Sequence, residues 1–78
     1  MSKLVIEITL GIYQHYKGNL YQVLHIAKHS ETEEALVVYR ALYQAYGVWV
    51  RPLVMFAETV EVNGEAVQRF KLIKPLDS

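Results

Sequence analysis

The sequence predicts a small, mainly β domain, built as a strongly bent sheet or partly open barrel with one short helical turn. Three stretches carry that expectation. Residues 35–56 hold two dense apolar runs on either side of Gly47, rich in the β-branched and aromatic residues that suit strands. Asn63-Gly64 lies between alternating residues and is a strong two-residue hairpin signal. Lys17-Gly18-Asn19 separates two further runs, and its glycine and asparagine tolerate positive φ.

The composition bounds what such a domain does. With 78 residues the chain makes a single domain, 1–78, of which about 11–73 form the core and 74–78 a frayed tail. Eight Lys and Arg balance eight Asp and Glu, so the basic excess that nucleic acid or an anionic membrane calls for is missing. With no cysteine there is no disulfide and no thiol chemistry, and the chain reads as cytoplasmic. Residues 3–10 are apolar but broken by Glu7, which suits neither a signal peptide nor a membrane span.

Taken in order, residues 4–10 form a first strand or an extended arm. Residues 12–16 and 20–28 then pair across Lys17-Gly18-Asn19, which sets Tyr16 opposite Leu20 and Ile12 opposite Leu24. One face carries Ile12, Tyr16, Leu20, Leu24 and Ile26 as a plausible core; the other carries Tyr13, His15, Tyr21, Val23, His25 and His29. After the polar connection 29–34, local signals divide evenly over residues 30–46. Ser30 with Glu33 makes a capping-box pattern and Gly47 a helix stop, whereas Val37-Val38-Tyr39 favours a strand.

Pro52 ends the strand 48–51, because it has no N–H to donate and fixes its own φ. Leu53 and Phe56, three apart, share the inner side of one helical turn. The Asn63-Gly64 loop pairs Val62 with Glu65, Val60 with Val67 and Glu58 with Arg69, the last as an ion pair. Phe70 then falls on the face opposite Val60, so either both faces are partly covered or a bulge intervenes. Short strands, tight turns and a helical turn before the last hairpin make an SH3-like sheet the nearest known architecture.

His15-Tyr-Lys-Gly18, Tyr21, His29-Ser-Glu-Thr32, Val37-Val-Tyr39, Tyr43, Trp49-Val-Arg-Pro52, Phe56 and Arg69-Phe70 together give the chain a family likeness. It resembles the small bacterial family called domain of unknown function 1653, over about residues 11–70. The resemblance implies a short stand-alone protein with no established activity. It also implies strand over about 35–43, a bend at 44–47 and strand over 48–51, because relatives carry Pro or Gly where a helix would resist them. His25 departs from the family, where a small residue is usual.

Candidate chemistry centres on His15, His29, Tyr39, Trp49 and Arg51. Trp49 and Arg51 are two apart on one strand and share a face, with Val48 and Val50 toward the core. An arginine beside aromatic rings stacks on them and still offers a planar fork to a carboxylate or phosphate. The structural alternative pairs Arg51 or Arg69 with Glu58 or Glu61 and uses the arginine stem to cover tryptophan. The six tyrosines serve as core bodies with wet hydroxyls or, where exposed in a groove, as a platform for an extended peptide or planar ligand.

His25 and His29 have the spacing that binds metal on a helix. On a strand they stand about 13 Å apart, so no metal and no cofactor is expected. His29, Ser30 and Glu31 have the residue types of a hydrolytic triad, but adjacent residues diverge and read as a polar loop.

Three functions compete: a non-enzymatic binding module for an anionic small molecule or peptide, a small hydrolase or transferase with His15 or His29 as general base, and a subunit that pairs through a sheet edge. The expected state is a monomer or weak dimer. Gly18, Pro52, Phe56, Asn63, Gly64, Arg69 and Phe70 are assigned structural roles.

Overall fold

A computed structural model describes residues 8–76. The expected strand over residues 4–10 lies mostly outside them; Ile8 and Leu10 are described and pack against the core. Seven strands and one helical turn follow in order: β1 (Gly11–His15), β2 (Leu20–Lys28), β3 (Ala35–Ala41), β4 (Val48–Pro52), α1 (Leu53–Phe56), β5 (Thr59–Val62), β6 (Glu65–Gln68) and β7 (Phe70–Pro75). The domain is mainly β. Five strands form one antiparallel sheet in the order β4-β3-β2-β1-β7, and β5 and β6 form a separate hairpin. Among the described residues no helix is long and apolar enough to cross a membrane.

Among the described residues the large sheet is open, with β4 and β7 as its outer strands. It nonetheless bends toward its inner face. Tyr39 on β3 and Phe70 on β7 stand three strands apart, roughly 14 Å in a flat sheet, yet their ring centres are 5.7 Å apart. The bend gathers the core of Tyr13, Val23, Val37, Tyr39, Phe56 and Phe70 on the inner face. Strand is the outcome for 35–41 as well. Ala35–Ala41 pairs on both sides, with β2 and β4, so tertiary pairing overrides the capping signals at Ser30 and Glu33.

The first hairpin corrects the sequence reading twice. His15 N–H bonds Asn19 O at 2.8 Å and Gly18 N–H bonds His15 O at 2.7 Å, so the loop is Tyr16-Lys17-Gly18. Gln14, and not Tyr16, therefore faces Leu20. The loop has slid by one residue, with Gly18 at positive φ in the manner of a three-residue hairpin. The buried face is also the reverse of the one expected. Tyr13 and Val23 are core, while Tyr16, Leu20 and Ile26 are exposed. Tyrosine rings outweigh aliphatic side chains here because they can reach Phe56 and Phe70 across the bend. A bulge in β2 between Val23 and His25 then turns His25 to the face of Val38.

The end of the chain follows its expected register closely. Pro52 closes β4, the α1 turn buries Phe56, and Leu53 packs beside it. Val62 faces Glu65, Val60 faces Val67, and Arg69 bonds Glu58 at 2.9 Å. At Arg69 the chain leaves the hairpin and enters the large sheet, which resolves how Phe70 reaches the core. The tail is shorter than expected: Lys74 and Pro75 belong to β7 opposite β1, and Leu76 N–H bonds Leu10 O at 2.9 Å.

Asn63 and Gly64 both hold positive φ, at 51° and 84°. Gly64→Val should cost about 1–2 kcal/mol from backbone strain alone, since an added Cβ meets nothing there. Urea unfolding checks this, and a neutral result contradicts the turn geometry.

Candidate functional site

Alternation along the strands decides which side chains meet. Tyr13 and His15 on β1, Tyr21 and Val23 on β2, Val37 and Tyr39 on β3, and Trp49 and Arg51 on β4 share the inner face through the observed pairings. Val48 and Val50 are therefore on the outer face, 51% and 57% exposed, which corrects the expectation that they point to the core. The reason lies in register. Trp49 pairs with Tyr39 and Arg51 with Val37, and both partners are buried inner-face residues.

Arg51 reaches inward over the bend. Its Nε donates to the Tyr39 hydroxyl at 3.3 Å, and its guanidinium carbon lies 5.8 Å from the Phe70 ring centre. Phe70 in turn stacks on Phe56, with centroids 4.1 Å apart and planes 1° off parallel. Tyr39 meets both rings edge-on, and His15 meets Phe70 edge-on at 4.9 Å. Each such ring pair contributes about 0.5–1.5 kcal/mol beyond its buried area, so the seat beneath Arg51 is firm. Tyr21 and Tyr43 join hydroxyls at 2.7 Å beside it. Both belong to the residues that carry the family likeness, but neither was among the candidate binding residues, and nothing in their spacing predicts that their hydroxyls meet.

The electrostatics are one-sided. Among the described residues the only ion pair is Arg69 with Glu58; Arg51 has no carboxylate partner. The two structural alternatives thus divide, Arg69 being tied to an acid and Arg51 left with its Nη donors uncommitted. Burial lowers the His15 pKa below its ordinary value, and the positive charges of Arg51, Arg69 and Lys17 lower it further. The Tyr21 hydroxyl is pushed up to about 12, by burial first and then by its bond with Tyr43. Neutral His15, neutral tyrosines and charged Arg51 make a face of hydrogen-bond donors under a positive field.

Of the five candidate residues, His15, Tyr39 and Arg51 converge around Phe70. Trp49 shares their face opposite Tyr39 but is 59% exposed, a ring open to solvent at the sheet edge. His29 is not with them. It sits in the β2–β3 loop, about six strand positions or roughly 20 Å along β2 from the Val23–Tyr39 pair. Its Nδ1 accepts the backbone N–H groups of Glu31 and Thr32 at 3.1 and 3.3 Å, which is loop-capping work.

His15 Nδ1 likewise accepts the Lys17 N–H at 3.1 Å. Both imidazoles thereby commit the lone pair that a general base would use. No group of three or more His, Cys, Asp or Glu residues able to hold a metal ion occurs among the described residues. A groove of about 540 Å³ opens elsewhere, between the β1–β2 turn and the β5–β6 hairpin, lined by His15, Tyr16, Val62, Val67, Gln68 and Lys71 among others. It shares only His15 with the residues gathered round Arg51. Lys71 is the one cation in its walls.

The depressed His15 pKa has a measurable consequence. The unfolded chain binds this proton more readily, so stability from His15 is intact above about pH 6.5 and is lost as pH falls toward the folded value. The melting temperature should drop on acidification from about pH 7 to about pH 5, and less so in His15→Asn. An identical slope in the variant contradicts this assignment.

An open, bent sheet with an arginine seated on stacked phenylalanines defines a small β domain with a donor-rich aromatic face. The chain belongs to the family described as protein of unknown function (DUF1653), whose model matches residues 11–72. It is similar to a crystal structure of a DUF1653 protein from Bordetella bronchiseptica, at 35% identity and a TM-score of 0.81, covering 90% of this chain and 92% of that one. No match was found among curated proteins.

Proposed function

We propose that this domain is a non-enzymatic binding module whose inner face takes an anionic, partly planar small molecule or a peptide bearing a carboxylate. In this reading the sheet is SH3-like, bent round the aromatic cluster, with the ligand entering beside Trp49. The observation that carries it is the acid-free Arg51 guanidinium, oriented by the Tyr39 hydroxyl and seated over Phe70. An arginine held in one geometry loses less entropy when a carboxylate or phosphate engages its fork.

Trp49 supplies a ring for a planar group, and His15 adds a donor. With zero formal net charge there is no long-range steering, so recognition depends on these contacts and affinity is modest. Acid strengthens anion binding once His15 takes a proton, at a pH below about 6.5 because its pKa is lowered.

An NMR titration with inorganic phosphate, benzoate and an acidic peptide tests the reading. Amide shifts should cluster at Tyr39, Trp49, Arg51 and Phe70 with at least one probe. Shifts confined to the groove around Val62 and Lys71, or none at all, contradict it.

A further inference from the structure

We infer that strand β4 pairs with β4 of a second copy of this chain, antiparallel about a two-fold axis through Trp49, joining the two sheets into one. Three consecutive large apolar residues of this edge strand, Val48, Trp49 and Val50, are 51%, 59% and 57% exposed. An unguarded apolar edge is a template for strand addition. The other edge, β7, is guarded by Lys71, Lys74 and Pro75. A head-to-tail contact of β4 with β7 would propagate as an open filament, whereas β4 with itself closes after two copies.

The hydrogen-bond inventory fixes the register. Ala41 N–H bonds Gly47 O at 2.9 Å, and the ladder alternates, so Trp49 and Arg51 spend their backbone groups on β3. The N–H and C=O of Val48 and Val50 therefore point outward, and Pro52 follows with no N–H to offer. A two-fold axis through Trp49 sets Val48 against Val50 of the second copy and uses every one of these groups. An axis through Val50 would set Val48 against Pro52, leave the Val48 C=O of each copy without a donor, and part the two Trp49 rings.

The chosen register also places Trp49 opposite Trp49 in a non-hydrogen-bonded pair, where cross-strand side chains approach most closely. Residues 46–50 carry no charge to oppose the contact. Arg51 lies opposite Gly47, its guanidinium turned inward toward Phe70.

Three apolar residues and a short strand bury less than the roughly 1,200 Å² of a standard interface, so the dimer dissociates in the order of 0.1–1 mM. Sedimentation velocity from about 10 µM to about 1 mM should show mass rising from 9.0 kDa toward twice that value. Val50→Pro deletes one edge-facing N–H and leaves the β3 ladder and the inner face untouched. Val50→Lys guards the edge by charge and serves if the proline variant fails to fold. Each folded variant should stay monomeric at about 1 mM. A wild-type protein that stays monomeric throughout, or a dimer that survives these substitutions, overturns the inference. The readout is mass, so its outcome is separable from anion binding.

Discussion

Phe70→Ala should lower the unfolding free energy by about 3–5 kcal/mol, the usual cost of removing a buried phenyl ring. Phe70 stacks on Phe56 and touches His15, Tyr21 and Tyr39 edge-on, so its loss empties the centre of the inner face. It is also the first residue of β7, joining the hairpin to the large sheet. A domain of this size has roughly 5–10 kcal/mol in all, so the variant sits near the unfolding threshold. Leu72→Ala, on the same strand but exposed, should cost under about 1 kcal/mol. Urea unfolding of both compares them directly. Similar losses would show that the ring cluster is not the core.

Gly11→Ala should cost about 3 kcal/mol, because the added methyl has no room. A Cβ at Gly11 would collide with the Lys74 carbonyl and lie 2.9 Å from the Pro75 Cα. Both are backbone atoms of the paired strand β7, and neither can swing aside. The register irregularity between Ile12 and Tyr13 brings the strands together there. Gly64→Ala, with open space around it, should cost only the strain of a positive φ, about 1 kcal/mol. Equal costs at the two positions would contradict the close approach of β1 and β7.

The contrast between the two halves of the chain explains how much of this was legible in the sequence. Asn63-Gly64 dictates a two-residue turn almost by itself, and from it follow Val60 opposite Val67 and the Glu58–Arg69 pair. Pro52, Leu53 and Phe56 were equally readable, since proline stops a strand and a three-residue spacing marks one side of a turn. Tyr16-Lys17-Gly18-Asn19 fits either a loop of 16–18 or one of 17–19, and only tertiary packing chooses between them. Which face of β1 and β2 is buried depends on Phe56 and Phe70, some forty residues further on, so no local alternation could reveal it.

The candidate site was legible in part for the same reason. Spacing alone put Trp49 and Arg51 on one face, but the partner strand β3 decided that this face is the inner one. His29 looked like His15 in sequence because both precede short polar turns. In the fold each imidazole accepts backbone amides of its own turn, and only His15 also faces the ring cluster. On paper the hairpin register favoured Arg69 for Glu58, while Arg51 could equally have met Glu58 or Glu61. The hairpin register gave Glu58 to Arg69 and left Arg51 without an acid.

Arg51→Gln tests that division of roles between the two arginines most directly. Its melting temperature and its affinity for whichever probe shifts Trp49 should be measured on the same preparation. Arg51→Gln should stay folded within about 1 kcal/mol of the wild type, since the residue has no acid partner among the described residues, and should lose at least tenfold in affinity. A variant that unfolds, or one that binds the probe as tightly as the wild type, would contradict it.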